Sequence, residues 1–275
     1  GTTPLVYAGA LPYGASFQDQ GDGTGRFAWT PAAGQLGAYP VQFVASDGDL
    51  TAERYATVLQ TDLKGRLATE TDVAVLGVVD TRDNNRFVPL TETRCWNFQE
   101  ATMAHWLATA PQTHFIFNDL VDGKFVSVIF DMTTKTRRVV PYPVSAVSAD
   151  GKWAVSINYA RLRLTRPDYG YGGNGQDARR DVTWPTDDGL WLVDLQSGKA
   201  TLIVTIASVR HRMPQVKDPK ALAYFCHTVF SRDGSKIFWL ARSVENLSGQ
   251  KVVRSWETTA FTCDRDGSNV QRCFP

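Results

Sequence analysis

Ser148-Ala149-Asp150-Gly151-Lys152-Trp153-Ala154-Val155 returns later in the chain as Ser231-Arg232-Asp233-Gly234-Ser235-Lys236-Ile237-Phe238. In both stretches a serine leads, Asp-Gly makes a tight hairpin turn, and a strand follows. A second motif interleaves with the first. It is an apolar strand ending in aspartate: Gly77-Val78-Val79-Asp80, Val128-Ile129-Phe130-Asp131, Trp191-Leu192-Val193-Asp194 and Phe261-Thr262-Cys263-Asp264. Repetition of this kind, carried by short strands, predicts the blades of a β-propeller. One partial blade is expected over about 70–93. Fuller ones are expected over about 96–142, 144–206 and 224–274. Closed propellers have about 4–8 blades, so an incomplete propeller is expected, with a four-bladed closure as the other option. Helical periodicity is absent, apart from a short helix expected near 219–225.

Residues 1–62 follow a different pattern. Leu5-Val6-Tyr7, Arg26-Phe27-Ala28-Trp29, Tyr39-Pro40-Val41-Gln42-Phe43-Val44-Ala45 and Arg54-Tyr55-Ala56-Thr57-Val58-Leu59 read as short strands between Gly and Pro clusters. The order Leu11-Pro12-Tyr13-Gly14, Phe27-Ala28-Trp29-Thr30-Pro31, Gly34-Gln35-Leu36-Gly37 and Ala45-Ser46-Asp47-Gly48 resembles Ig-like modules of bacterial secreted proteins. That resemblance implies a structural spacer. The expected fold class is therefore all-β: an Ig-like β-sandwich over 1–62, then propeller blades over 63–275.

Composition sets limits on function. The chain has 275 residues, 43% hydrophobic and 21% charged, with a net charge of +1. No whole-chain field draws it to nucleic acid or to a membrane surface. No apolar run reaches the roughly 18 residues of a membrane span. The N-terminus has neither the charged nor the apolar region of a signal peptide. Cys95, Cys226, Cys263 and Cys273 form no C-x-x-C pair, which disfavours a zinc ribbon or a thioredoxin site. Cys263 and Cys273 flank a turn-rich segment, leaving either a disulfide or two separate thiols.

The richest chemistry lies in Ser156-Ile157-Asn158-Tyr159-Ala160-Arg161-Leu162-Arg163-Leu164-Thr165-Arg166-Pro167-Asp168-Tyr169-Gly170-Tyr171-Gly172-Gly173. Three arginines and three tyrosines meet one carboxylate there. If 156–164 is extended, Arg161, Arg163 and Tyr159 share a face, and Arg166 lies at the strand end before Pro167. Arginine grips a carboxylate through a planar fork and stays charged. Arg166 is the first candidate for carboxylate binding and Arg161 the second. Pairing with blade aspartates, or solvation, is the other fate open to them. Among the histidines, His105 is the foremost proton-transfer candidate. His114 flanks a strand, and His211 sits in a basic loop.

Three segments together, Thr93-Arg94-Cys95-Trp96-Asn97-Phe98-Gln99-Glu100 with Phe115-Ile116-Phe117-Asn118-Asp119, then 156–171, then Phe225-Cys226-His227, resemble the β-propeller polysaccharide lyases of the oligogalacturonate and ulvan lyase type. The resemblance implies β-elimination on an acidic, uronate-containing polysaccharide or oligosaccharide. Arg166, Tyr169 and His105 would be catalytic, and Gln99, Asn118, Arg161 and Tyr171 would bind substrate. It also places His227 where relatives put a metal-binding histidine and leaves a divalent metal (Mn, Ca or Zn) open as a cofactor. A secreted or periplasmic location follows from it. The Asp-Gly hairpins also resemble those of TolB-type propellers, which implies a non-catalytic binding platform as the alternative. Glycoside hydrolysis would need paired carboxylates across a cleft, and no such pair stands out.

Overall fold

The structure, a computed structural model, describes residues 3–31, 37–60, 72–81, 83, 85–172, 177–216, 220–244 and 256–274. The chain is all-β. Among the described residues, helix is confined to α1 (Tyr159–Thr165) and a 3-10 turn over Ala207–Arg212. Contacts divide it into two compact units, Gly1–Glu92 and Thr93–Pro275. The boundary expected at 62/63 and the Gly34-Gln35-Leu36 motif lie outside the described residues.

The first unit is built from β1 (Leu5–Ala8), β2 (Ala15–Asp19), β3 (Gly25–Trp29), β4 (Gly37–Ser46), β5 (Thr51–Gln60), β6 (Ala74–Asp80) and β7 (Arg86–Thr93), whose last residue opens the second unit. β1, β4 and β5 form a three-stranded sheet, and β2–β3 and β6–β7 are two-stranded. Aromatic rings join the β2–β3 hairpin to the sheet. Phe17 and Phe27 meet Phe43 at 5.5 and 6.2 Å, and Trp29 meets Tyr39 edge-on at 4.7 Å. Tilted and edge-on rings at these distances are favourable pairs.

The second unit holds three four-stranded antiparallel meanders in chain order. The first is β8 (His105–Trp106), β9 (His114–Val121), β10 (Lys124–Asp131) and β11 (Arg137–Val140). The second is β12 (Ala146–Val147), β13 (Trp153–Ser156), β14 (Gly189–Asp194) and β15 (Ala200–Thr205). The third is β16 (Leu222–Phe230), β17 (Lys236–Val244), β18 (Trp256–Asp264) and β19 (Gln271–Arg272). This is the strand count and order of a propeller blade, and it matches the three fuller repeats.

The repeated Asp-Gly turns are wired bond for bond. Ser148 Oγ donates to Asp150 Oδ1 at 2.6 Å, Asp150 Oδ1 accepts from Lys152 N at 3.0 Å, and Ser148 Oγ accepts from Trp153 N at 3.0 Å. Ser231, Asp233, Ser235 and Lys236 repeat that set at 2.6, 3.0 and 2.9 Å. The strand-ending aspartates cap the other turns at the same end. Asp131 accepts from Thr133 N and Asp194 from Gln196 N, both at 2.8 Å.

The strands between these turns lack an apolar-polar alternation because both their faces are covered. Ala154 and Val193, a cross-strand pair of the second meander, pack with Ile116 and Ile129 of the first. Their neighbours Val155 and Leu190 join Ile237, Trp239 and Phe261 of the third. The meanders thus stack face to face, with successive side chains of one strand entering different apolar layers.

Two expectations are corrected and one open alternative is decided. Residues 159–165 are helix and not strand. Asn158 caps that helix by accepting from Arg161 N at 2.9 Å, Ala and Leu favour it, and Pro167 prevents its continuation. Residues 222–225 lie in β16, and the turn of helix falls earlier, over Ala207–Arg212. Finally, all four cysteines are free. Phe261 pairs with Arg272 and Cys273 N donates to Ala260 O, so the register sets Cys273 away from Cys263.

The two turns differ in one useful respect. Both glycines have positive φ, +69° at Gly151 and +68° at Gly234. An added Cβ at Gly151 would lie 2.8 Å from the Ala108 backbone nitrogen, whereas at Gly234 nothing lies nearer than 3.9 Å. Gly234→Ala is expected to cost only the backbone term, about 1–2 kcal/mol. Gly151→Ala is expected to cost clearly more, measured from denaturant midpoints. Equal losses would show that the contact with Ala108 is slack.

Candidate functional site

The long connection between β13 and β14 carries Arg161, Arg166, Tyr169 and Tyr171, half of the site residues singled out in the sequence. It leaves its meander at the end opposite the Asp-Gly turns. The three arginines of 161–166 have different fates there. Arg161 is 1% exposed, and all five of its N–H donors are used. Nε donates to Ala223 O, Nη1 to Asp177 Oδ2 and Arg179 O, and Nη2 to Val182 O and Thr183 O. None remains for a substrate carboxylate. Burial pulls the guanidinium pKa down while Asp177 and Asp188 oppose the shift. Arg163 Nη1 donates to Pro167 O at 3.2 Å. Arg166 grips Asp168 through two bonds of 3.0 and 2.8 Å and lies 4.4 Å above the Tyr169 ring.

Asn118 and Tyr171 also belong to the interior, each at 0% exposure. Asn118 Nδ2 donates to Val144 O at 2.7 Å and to the Tyr171 hydroxyl at 2.8 Å, and its Oδ1 accepts from Val144 N at 2.6 Å. Tyr171 stacks on Tyr159 at 4.3 Å, and burial pushes its hydroxyl pKa far up. These groups join the first and second meanders through the core and do not face an opening.

Tyr169 and His227 come together from separate elements, with ring centroids 5.2 Å apart. Asn97 Nδ2 fixes this arrangement by donating to Tyr169 O at 2.8 Å, and Asn97 Oδ1 accepts from Gln99 N and Glu100 N. The Gln99 side chain is exposed beside this turn. His227 occupies a β-bulge between Cys226 and Val229 at φ +52°, a conformation that costs an L-residue energy. Its Nδ1 is buried without a partner. Burial, then Arg242, then Arg166 pull its pKa down, which keeps the imidazole neutral. Tyr224, from β16, faces the same two arginines, and burial raises its hydroxyl pKa to about 12. That hydroxyl lies beside the Thr165 hydroxyl, which donates to Leu162 O and has lone pairs left to accept from it. Cys226 is pushed up to about 12 by burial, so it is a thiol and not a nucleophile.

His105 stands apart. It pairs with Ile116 on the short strand leading into the 107–113 turn, and burial pulls its pKa down. No described hydrogen bond, ring contact or charge interaction joins it to Tyr169, Arg166 or His227. The sequence reading missed Arg242, Tyr224 and Glu100, whose carboxyl pKa is raised by burial. Arg242 had a visible signal: it is the one cation in the otherwise apolar run Ile237-Phe238-Trp239-Leu240-Ala241-Arg242.

A divalent metal does not fit at His227. No group of three His, Cys, Asp or Glu side chains gathers among the described residues, and the charged neighbours of His227 are guanidiniums. Zinc needs three or four ligands, and calcium or manganese needs several oxygens. A cleft of about 630 Å³ lies at the Asp-Gly end between the first and second meanders. Leu107, His114, Asp131, Lys152, Trp153 and Asp194 are among its walls. It holds none of the unpartnered groups, so the His227 cluster is the better candidate.

No family model and no curated protein matches the chain. Among solved structures, oligogalacturonate lyase in complex with manganese matches with 13% identity and a TM-score of 0.43, covering 99% of this chain and 61% of that one. A protein assigned as TolB from Agrobacterium tumefaciens matches with 11% identity and a TM-score of 0.38, over 85% and 61%. TolB from Acinetobacter baumannii matches with 13% identity and a TM-score of 0.25, over 86% and 65%. The chain spans less than two thirds of the length of each. These likenesses are too distant to bear on activity, which has to be argued from the side chains.

Two outcomes follow from the site. Arg161→Lys keeps the charge but leaves several buried acceptors unpaired, so it is expected to destabilise by about 3–5 kcal/mol in denaturant unfolding. A loss below about 1 kcal/mol would contradict a structural role. Second, the His227 imidazole is expected to titrate below its ordinary 6.5 in NMR. With the folded-state pKa depressed, the stability tied to its neutral form is complete above pH 6.5 and is lost as pH falls through the folded midpoint.

Proposed function

We propose that this chain recognises an acidic, uronate-bearing saccharide at the His227 cluster and cleaves it by β-elimination. The observation that carries this reading is the neutral-poised His227 imidazole, 5.2 Å from the Tyr169 ring and in the field of Arg166 and Arg242. In the elimination, His227 takes the proton α to the uronate carboxylate. The electron pair of that C–H bond forms the new double bond, and the bond to the 4-linked oxygen breaks. The Tyr169 hydroxyl gives its proton to the departing oxygen. Charge building on the carboxylate in the enolate-like transition state is met by the nearby guanidiniums.

Within this reading Arg166 shapes the site from the side. Its fork is held by Asp168, so it orients the Tyr169 ring and contributes charge. Gln99 is a candidate saccharide contact at the rim. His105 loses the role of base to His227 because nothing connects it to Tyr169. Arg161, Asn118 and Tyr171 support the site and do not touch substrate. We further propose that the three meanders are blades of a propeller, that the first unit contains an Ig-like module, and that the protein works outside the cytoplasm.

The test is the ultraviolet absorbance of the conjugated double bond that elimination creates, followed on uronate polymers. Tyr169→Phe and His227→Ala are each expected to lower the rate by about 10²-fold or more, with saccharide binding retained in Tyr169→Phe. Binding without any unsaturated product from the wild-type protein would leave a non-catalytic saccharide-binding platform instead.

A further inference from the structure

We propose that the cleft at the Asp-Gly end, between the first and second meanders, binds a short zwitterionic peptide with an apolar side chain. The site is separate from the His227 cluster and does not rest on the uronate reading.

The cleft combines an apolar floor with a rim of both charges. Leu107, Ile129 and Leu195 are buried at its base. The half-buried ring of Trp153 forms one wall, with the Arg265 guanidinium over that ring at 5.4 Å. Two cations converge on the Leu195 backbone from different meanders. Arg138 Nη2 donates to Leu195 O at 2.6 Å, and Lys152 O accepts from Leu195 N at 2.9 Å. Both side chains are exposed along the cleft. Asp194, one residue before Leu195, and Asp131 of the first meander supply the opposite sign. Turn bonds, led by the Thr134 hydroxyl at Asp131 and by Ser197 N at Asp194, hold both carboxyls below the ordinary range, so both are charged. A carboxylate offers about four acceptor positions, and these bonds leave capacity on each.

The charges do not cancel one another by contact. Among the described residues Arg138, Lys152 and Asp194 enter no ion pair, and Asp131 meets only His114 Nε2, at 3.9 Å. Lys152 lies in the field of Asp150 without bonding it. The ligand class follows from what each simpler ligand leaves uncompensated. A plain anion faces Asp131 and Asp194, and a plain cation faces Arg138 and Lys152. For a metal ion, no three ligating side chains gather among the described residues. A wholly apolar ligand strips water from four charges and returns no partner. A peptide with free ends carries one charge of each sign and an apolar group between them. Its carboxylate fits the Arg138 fork and the Lys152 ammonium, its own ammonium fits the two aspartates, and its side chain lies on the floor against the indole. At about 630 Å³ the cleft has the size of an ordinary ligand pocket. Its volume is that of roughly twenty waters, more than one amino acid fills.

The test follows the Trp153 indole N–H signal by NMR in the full chain, assigned by its loss in Trp153→Phe, with Ala-Leu-Ala as the probe. A saturable shift is expected, and the affinity should fall as salt is raised. The same peptide acetylated at one end and amidated at the other keeps its shape but not its charges, and is expected to bind about tenfold more weakly or worse. Lys152→Gln removes an exposed charge, and Asp194→Asn keeps an oxygen for the turn. Each should weaken binding by about threefold to tenfold, with the denaturant midpoint of Lys152→Gln unchanged. His227→Ala should bind the peptide as wild type does. No saturable shift, equal binding of the blocked peptide, or wild-type binding in both Lys152→Gln and Asp194→Asn overturns the proposal. Loss of binding in His227→Ala overturns the separate site. Displacement of the probe by glucuronate at equal concentration overturns the peptide assignment, whatever the outcome of the elimination assay.

Discussion

The Arg161 guanidinium holds the functional end of the second unit in place. Its five bonds gather the carbonyls of Arg179, Val182 and Thr183 and the carboxylate of Asp177 from the long connection, and the carbonyl of Ala223 from β16. Without that node, a connection of this length would carry many backbone groups with nothing to pair them. With it, the helix at 159–165 and the stretch 177–183 are both tied to β16 of the third meander. Tyr169, held by Asn97, then meets His227 beside this anchored helix. The burial of a charge is tolerated because every donor is satisfied and one partner is an anion.

A division of labour follows within a few residues of sequence. Polar groups that are fully paired, such as Arg161, Asn118 and Tyr171, define the geometry. Other polar atoms, His227 Nδ1 and Arg242 Nε, are buried in that geometry without a partner. The positive φ of His227 adds to the same account, since a bulge that turns the imidazole out of the strand ladder persists only because the packing around it is firm. Stability surplus in the paired set supports strain and desolvation in the unpaired set.

The sequence made the repeating parts legible because their wiring is local. Ser-x-Asp-Gly encodes a turn whose side-chain caps all lie within six residues, so the stretches at 148 and 231 could be read directly and the meanders followed. The connection at 156–173 misled for the opposite reason. Its arginines look alike in sequence, yet one is buried among carbonyls, one donates to a neighbouring carbonyl, and one is clasped by an aspartate two residues away. Which fate applies depends on Ala223, Asp177 and Thr183, and no local pattern announces them. The helix at 159–165 was hidden by its apolar approach from β13, although Asn158 and Pro167 mark both of its ends. Arg242 is marked only as the one cation of an apolar run, and nothing local says that it will lie across from Tyr224 and near His227.

The contrast between the two kinds of connection bears on how such a chain can change over evolutionary time. A turn whose hydrogen bonds stay within its own meander, like 148–153 or 231–236, moves with that meander, and where it also touches a neighbour, as Gly151 does at Ala108, the demand is only for a small residue. The connection anchored by Arg161 cannot move with one meander alone, because its acceptors belong partly to the next. The second and third meanders are therefore bound to be inherited as one block, and recombination between relatives is expected to have its tolerated crossover points outside 157–223.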